Sequence, residues 1–243
     1  MAILLHHMHL YEKRGLKITQ IGSLPWRDPK EAVTYSLRHD IPFLPELPLL
    51  GDAMLSYIKR PGELSTLSEF KKHVFEVVKV QAVGPATLIL AGYDPEEALL
   101  RVYRHLEAIL DGLRAEEIIL FLDEPALGQA GFDYEELWRQ IFRDFPVIRG
   151  VHVCGNMQWD RLFQSNLIDI ISFDASRYDI TLYYPRHGKK IAWGITKPED
   201  IRDFQPGDLI TPPCGLAPPR YTPEDLEPIL QNLRACARKF RER

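Results

Sequence analysis

Apolar runs and helical patterns alternate along the chain. The runs are ITQIGSL (18–24), PFLPELP (42–48), ATLILAG (86–92), EIILFLDEP (117–125), IRGVHVCG (148–155), IDIISFDAS (168–176), KKIAWGI (189–195) and LITPPCG (209–215). They are continuous rather than alternating, which predicts parallel strands covered on both faces. Between them lie stretches with helical spacing, such as DPKEAVTYSLRHD, LSEFKKHVFEVVKVQA, DPEEALLRVYRHLEAILDGLRA and DYEELWRQIFRDF. Several open on Asp or Thr followed by Pro-Glu or an early Glu, as helix capping and the helix dipole favour. Eight strand–helix units predict an α/β protein with a single (β/α)8 TIM barrel over residues 1–243. The second and sixth units are the weakest, the sixth because RYDITLYYPRHG has no clear helical pattern. An open doubly wound sheet is the alternative, but no Gly-rich nucleotide turn accompanies it.

A barrel does its chemistry at the C-terminal strand ends. The runs end on or near Ser23, Glu46, Gly92, Asp123 with Glu124, His152 with Cys154, Asp174, Thr196 and Cys214. Carboxylates and metal-ligand types crowd there, while the strand starts show Ile, Thr, Leu and Lys. That asymmetry locates a site without having been used to choose the strands.

Composition narrows the partners. The chain has 243 residues, 45% hydrophobic and 26% charged, with a formal charge of −4. That balance argues against a nucleic-acid partner. No apolar run approaches the ~20 residues of a membrane span. The opening MAILLHHMHL lacks a signal-peptide core, so the expected compartment is the cytoplasm. Three cysteines are too few for a disulfide framework.

The stretch GVHVCGN holds the sharpest chemistry. Residues i and i+2 of a strand share a face, so His152 and Cys154 can both face the barrel mouth. Two readings stand for this pair: zinc ligation, or a buried thiol beside a hydrogen-bonded imidazole. Cys214 in TPPCGL supplies a third donor at the same rim, and Asp174 in SFDAS a fourth. Together they favour zinc over buried thiols. A sulfur-rich zinc site is a soft, weak Lewis acid suited to holding an incoming thiol as a thiolate. The reaction class this points to is alkyl transfer to sulfur. Cys236, within the last helical pattern, reads as packing.

These segments resemble the catalytic barrel of the cobalamin-independent methionine synthase family, within the wider uroporphyrinogen decarboxylase and methionine synthase-like superfamily. The resemblance rests on IGSLP (21–25), LPELP (44–48), GPATLIL (84–90), LDEPAL (122–127), HVC (152–154), ISFDAS (171–176) and TPPCGL (211–216), in the family's order over nearly the whole chain. It implies zinc held by His152, Cys154, Asp174 and Cys214. It also implies that Ser23, Glu46 and Asp123 grip the amino acid end of homocysteine, and two carboxylates suit an ammonium through charge-assisted hydrogen bonds. Glu124 would instead brace the strand end.

The departures concern the methyl donor. The fourth ligand is Asp174 where the family has Glu. Thr196 stands where the family has a proton-donating His. The folate-associated Trp after the third run is replaced by Ala91, Gly92 and Tyr93. The family's folate-binding N-terminal half has no counterpart in these residues. The resemblance is therefore to the short, barrel-only members, and implies a methylated corrinoid on a partner protein as donor in place of methyltetrahydrofolate. The alternatives are methylation of another small thiol of the coenzyme M type, and a non-catalytic barrel that binds zinc or a corrinoid protein. Two rim carboxylates argue against a sulfonate acceptor. Among weaker signals, the His6, His7 and His9 cluster reads as a frayed or edge segment, and His187 receives no role. Trp159 reads as packing, and Asn156 either orients His152 or caps the helix that follows it.

Overall fold

A computed structural model describes residues 9–12 and 15–241; His6 and His7 lie outside the described residues. Seven parallel strands form one sheet: β1 (Lys17–Ile18), β2 (Val74–Val83), β3 (Arg114–Asp123), β4 (Ile148–Val153), β5 (Ile170–Asp174), β6 (Lys190–Gly194) and β7 (Leu209–Thr211). Their order is β1-β7-β6-β5-β4-β3-β2. Eight helices accompany them: α1 (Pro29–Ser36), α2 (Met54–Tyr57), α3 (Leu67–Phe70), α4 (Pro85–Leu90), α5 (Pro95–Leu110), α6 (Tyr134–Arg143), α7 (Trp159–Gln164) and α8 (Pro223–Arg241).

The alternation of parallel strands and helices is as the sequence predicts, but a closed (β/α)8 barrel is not what forms. The sheet is an open seven-stranded half-barrel with β1 and β2 at its edges. Residues 41–46 run between those edges and make a single bridge to each, Ser23 with Glu46 and Phe43 with Lys79. PFLPELP supplies the physical reason. Pro42, Pro45 and Pro48 have no amide proton, so this segment cannot extend either bridge into a ladder.

A second correction concerns the third run. ATLILAG is not a strand; it lies in α4, which opens with Pro85 at its first position after an extended Gly84. The strand lies just upstream, in VFEVVKVQAV, where a helix had been expected. Its exposure alternates at first and ends in seven consecutive buried residues. Short apolar runs fit either period, and here the β-branched valines and pairing with β3 decide. The sixth unit has only a short 3-10 turn, Ile180–Tyr183.

Helix starts follow the capping pattern. Asp94 accepts hydrogen bonds from the amides of Glu96 and Glu97, Asp133 from Glu135, and Asp28 from Lys30. The helices pack on one face of the sheet in a large core that takes the even-numbered residues Leu120 and Leu122 of β3 and the odd-numbered Ile171 and Phe173 of β5. The alternate residues turn to the other, concave face. There Ile21, Val77, Ile119, Phe121, Ile148, Ile170, Ala192 and Leu209 form a second cluster, joined by Ile41 and by Tyr11. Among the described residues no helix is long and apolar enough to cross a membrane.

Candidate metal centre

Five of the strands that feed the apolar concave cluster turn polar toward their C-terminal ends; β6, with Ala192 and then Gly194, does not. On β3 the sequence runs Ile119, Phe121, Asp123; on β4, Ile148, Gly150, His152; on β5, Ile170, Ser172; on β7, Leu209, Thr211; on β2, Val77, Lys79, Gln81. Gly150 is required by a close approach, since a Cβ there would stand 2.2 Å from the Phe121 ring. The ring fills the interior below the site. Parallel register then brings Asp123 opposite His152 and His152 opposite Ser172.

His152, Cys154 and Cys214 come together at this end. Their ligand atoms lie within 4.8 Å of one another, and among the described residues this is the group of three that could hold a metal ion. His152 Nε2 is 3.2 Å from Cys154 Sγ, and the two sulfurs are 3.5 Å apart. Two thiolates at ~2.3 Å from a tetrahedral metal stand ~3.8 Å from each other, so little movement separates this arrangement from ligation. His152 Nδ1 is occupied at 3.0 Å by the Ser172 hydroxyl, which leaves Nε2 as the ligating nitrogen. The imidazole is buried, while Cys214 reaches solvent at the rim.

The two sulfurs are within hydrogen-bond distance of one another. The hydrogen bond between them holds Cys214 below the ordinary thiol value, with His152 adding to the effect and burial opposing it. The same bond, reinforced by burial, pushes Cys154 up.

Asp174 closes β5 but stands outside this group of three. Its Oδ1 accepts from the Ser176 amide at 3.0 Å and the Ser176 hydroxyl at 2.5 Å, an Asx turn that ends the strand. Its charge still acts on Cys154.

Ser23, Glu46 and Asp123 lie beside this group at the same end. The Ser23 hydroxyl donates to Glu46 Oε2 at 3.4 Å, and its carbonyl accepts from the Leu216 amide at 2.8 Å. That second bond ties the Ser23 turn to the Cys214 turn. Glu46 is buried and accepts from Gln81 Nε2 at 3.1 Å on its other oxygen. Gly22 makes room for that amide: a Cβ there would lie 1.9 Å from Gln81 Nε2. Burial, then the neighbouring Asp123, pushes the Glu46 carboxyl up to about 8. Asp123 is also raised by burial and is drawn back by His152 and Lys79. Its Oδ1 is buried without a hydrogen-bond partner, as is the Thr211 hydroxyl. Orphaned buried acceptors are uncommon and mark a place where a ligand or water belongs.

Four residues here escaped the sequence reading: Lys79, Gln81, Ser172 and Thr211. The first two lay in a stretch read as helix, although K-V-Q at period two inside an apolar strand was the signal. The other candidates have structural partners. Glu124 is buried and accepts from the amides of Ala86 and Thr87, the Thr87 hydroxyl and Trp138 Nε1, so it caps α4. Asn156 accepts from Trp159 Nε1, and Trp159 packs on Phe173 and Tyr178. Thr196 gives its amide and hydroxyl to Asp200. His9 pairs with Glu117, and Cys236 is buried in α8. The chain matches no family model and no curated protein.

Proposed function

We propose that the protein is a zinc-dependent S-methyltransferase whose acceptor is a small amino-thiol, homocysteine in the first instance. The observation that carries this reading is the pairing of two unlike sites at one strand end. A nitrogen and two sulfurs converge within 4.8 Å, and beside them lie two buried carboxylates, one with an orphaned oxygen. The donor set fits zinc, which takes imidazole and thiolate in tetrahedral sites and keeps an open position in catalytic ones. His152, Cys154 and Cys214 would hold it. When bound, zinc supplies a place for the acceptor sulfur and lowers its pKa so that it is a thiolate at neutral pH.

The remaining work falls to the chain's own residues. Asp123 Oδ1 and the Glu46 carboxylate receive the acceptor's ammonium, and Ser23 braces Glu46. Glu46 gives up its proton as the cation arrives, since a buried carboxyl beside a new positive charge ionises more readily. The acceptor thiol gives its proton to bulk water on binding; in the transfer the thiolate sulfur gains the methyl group, and the donor keeps the electron pair of the broken bond. A sulfonate acceptor would meet two carboxylates, which disfavours a coenzyme M-type thiol.

The donor in this reading is a methylated corrinoid carried by a partner protein. Thr196 is committed to Asp200 and has no acidity to offer a folate leaving group. This is also what the resemblance to the short cobalamin-independent methionine synthase barrels implies. The test is methyl transfer to homocysteine by zinc-loaded protein, from methylcobalamin and from methyltetrahydrofolate. Methionine is expected from the first donor, and none from C214S. A fully active, zinc-loaded C214S would overturn the mechanism, and equal use of methyltetrahydrofolate would overturn the donor.

A further inference from the structure

Below the two carboxylates lies a cation that the reading so far leaves unused. Lys79 on β2 is wholly buried, and its Nζ donates to Gln81 Oε1 at 2.6 Å. It also stands 4.8 Å from the centroid of the Phe121 ring. An ammonium is a donor only, so it must face the amide oxygen of Gln81, never the nitrogen. That fixes the amide: Nε2 is turned toward the Leu44 carbonyl at 2.9 Å and Glu46 Oε1 at 3.1 Å. With one oxygen held by Gln81, Glu46 keeps Oε2 toward Ser23 and the open site.

Charge leads to the same residue. Lys79 interacts with both Glu46 and Asp123, and burial lowers its own pKa to about 8. Once Glu46 has given up its proton, two carboxylates and one ammonium leave a single net negative charge in a place shielded from water. A buried uncompensated charge is costly, so the cluster is completed by one further positive charge and by no more.

We propose that Lys79 is the positioning residue of the acceptor pocket: through Gln81 it orients Glu46, and as the counter-ion of Glu46 and Asp123 it sets the pocket to take a thiol bearing one primary ammonium. The inference rests on the amino-thiol reading above and adds its source of selectivity. Lys79 does not touch the acceptor; it acts through Gln81 and through the field at the two carboxylates.

The experiment compares homocysteine with 4-mercaptobutanoate, which lacks the amine, by calorimetric titration of zinc-loaded protein. Wild type should bind homocysteine at least tenfold more tightly. K79M should lose at least tenfold for homocysteine and less than twofold for the des-amino thiol, with its zinc content unchanged. In an E46Q background the same change should cost less than it does in wild type, because the part that passes through Gln81 and Glu46 is gone and only the field at Asp123 remains. Unchanged homocysteine binding in K79M, or equal loss of both ligands, overturns the inference. A wild type that does not distinguish the two thiols overturns the amino-thiol reading instead. The brace is then judged without ligand, by carbon NMR titration of the Glu46 carboxyl. This group faces Asp123, Lys79 and Gln81 as well as Ser23, Asp52 and Tyr57. Its midpoint should rise by at least one pH unit in K79M, and also in Q81L, which serves if K79M fails to fold. An unmoved midpoint overturns the brace.

Discussion

The two ends of the concave face are built from the same strands and behave as opposites. At one end Ile119, Phe121, Ile148 and Ile170 pack hydrocarbon on hydrocarbon, with Gly150 leaving room for the Phe121 ring. Two residues further along β3, β4 and β5, the same face presents Asp123, His152 and Ser172. The apolar end contributes stability through burial. The polar end keeps an orphaned Asp123 oxygen, an orphaned Thr211 hydroxyl and a carboxyl raised by burial. Such groups cost stability unless a ligand or water satisfies them. The period-two alternation keeps Phe121 and Asp123 on one face, so a two-residue step along the strand separates a packing role from a binding role.

That contrast can be broken most strongly at the apolar end. Replacing Phe121 by Ala should cost about 3–5 kcal/mol, the range for a large aromatic lost from a packed core. Denaturant unfolding would read the loss, and metal uptake by the folded fraction should survive. At the polar end E46Q should act the other way. Glu46 sits near 8 in the folded protein against an ordinary 4.5, so between those values the native state keeps a proton that the unfolded chain has released. Metal-free wild type should therefore lose stability as pH rises from about 4.5 to about 8. E46Q should remove Glu46's part of that slope and be more stable than wild type at pH 8, by up to about 4 kcal/mol. Thermal melts of both proteins across this range check the sign; a slope undiminished in E46Q would contradict it.

Smaller effects sharpen the comparison. S172A removes the partner of His152 Nδ1 and should weaken metal binding about 10- to 100-fold, with little change in the melting of the metal-free protein. Competition with a chromophoric chelator measures it. T211V exchanges an unpartnered hydroxyl for a methyl group of similar size. Its stability should lie within about 1 kcal/mol of wild type, on the favourable side if water is excluded there.

Legibility in the sequence followed the same physical lines. His152 and Cys154 could be placed on one face because a strand repeats every two residues, and Cys214 could be placed at the same rim because parallel strands end together. Glu46, Ser23 and Asp123 fell at that rim by the same argument. What could not be read was orientation and period. D-A-S allows Asp174 to face a metal or to close its own turn, and the structure has it accept from Ser176. VVKVQAV and ATLILA are both short and apolar, and only pairing with β3 assigns the strand to the first. The missed strand concealed Lys79 and Gln81. The prolines of PFLPELP were visible throughout; their effect on ladder formation, not the apolar pattern, is why seven strands form and the half-barrel stays open.

The account turns on the three donors of the polar end. Its most direct test is metal content by mass spectrometry on untagged protein expressed under zinc-replete conditions, for wild type and C154S. One zinc per chain in wild type, lost in C154S while the variant stays folded, is the predicted result. Folded wild-type protein without zinc would return His152, Cys154 and Cys214 to an ordinary hydrogen-bonded cluster and would remove thiol methylation with them.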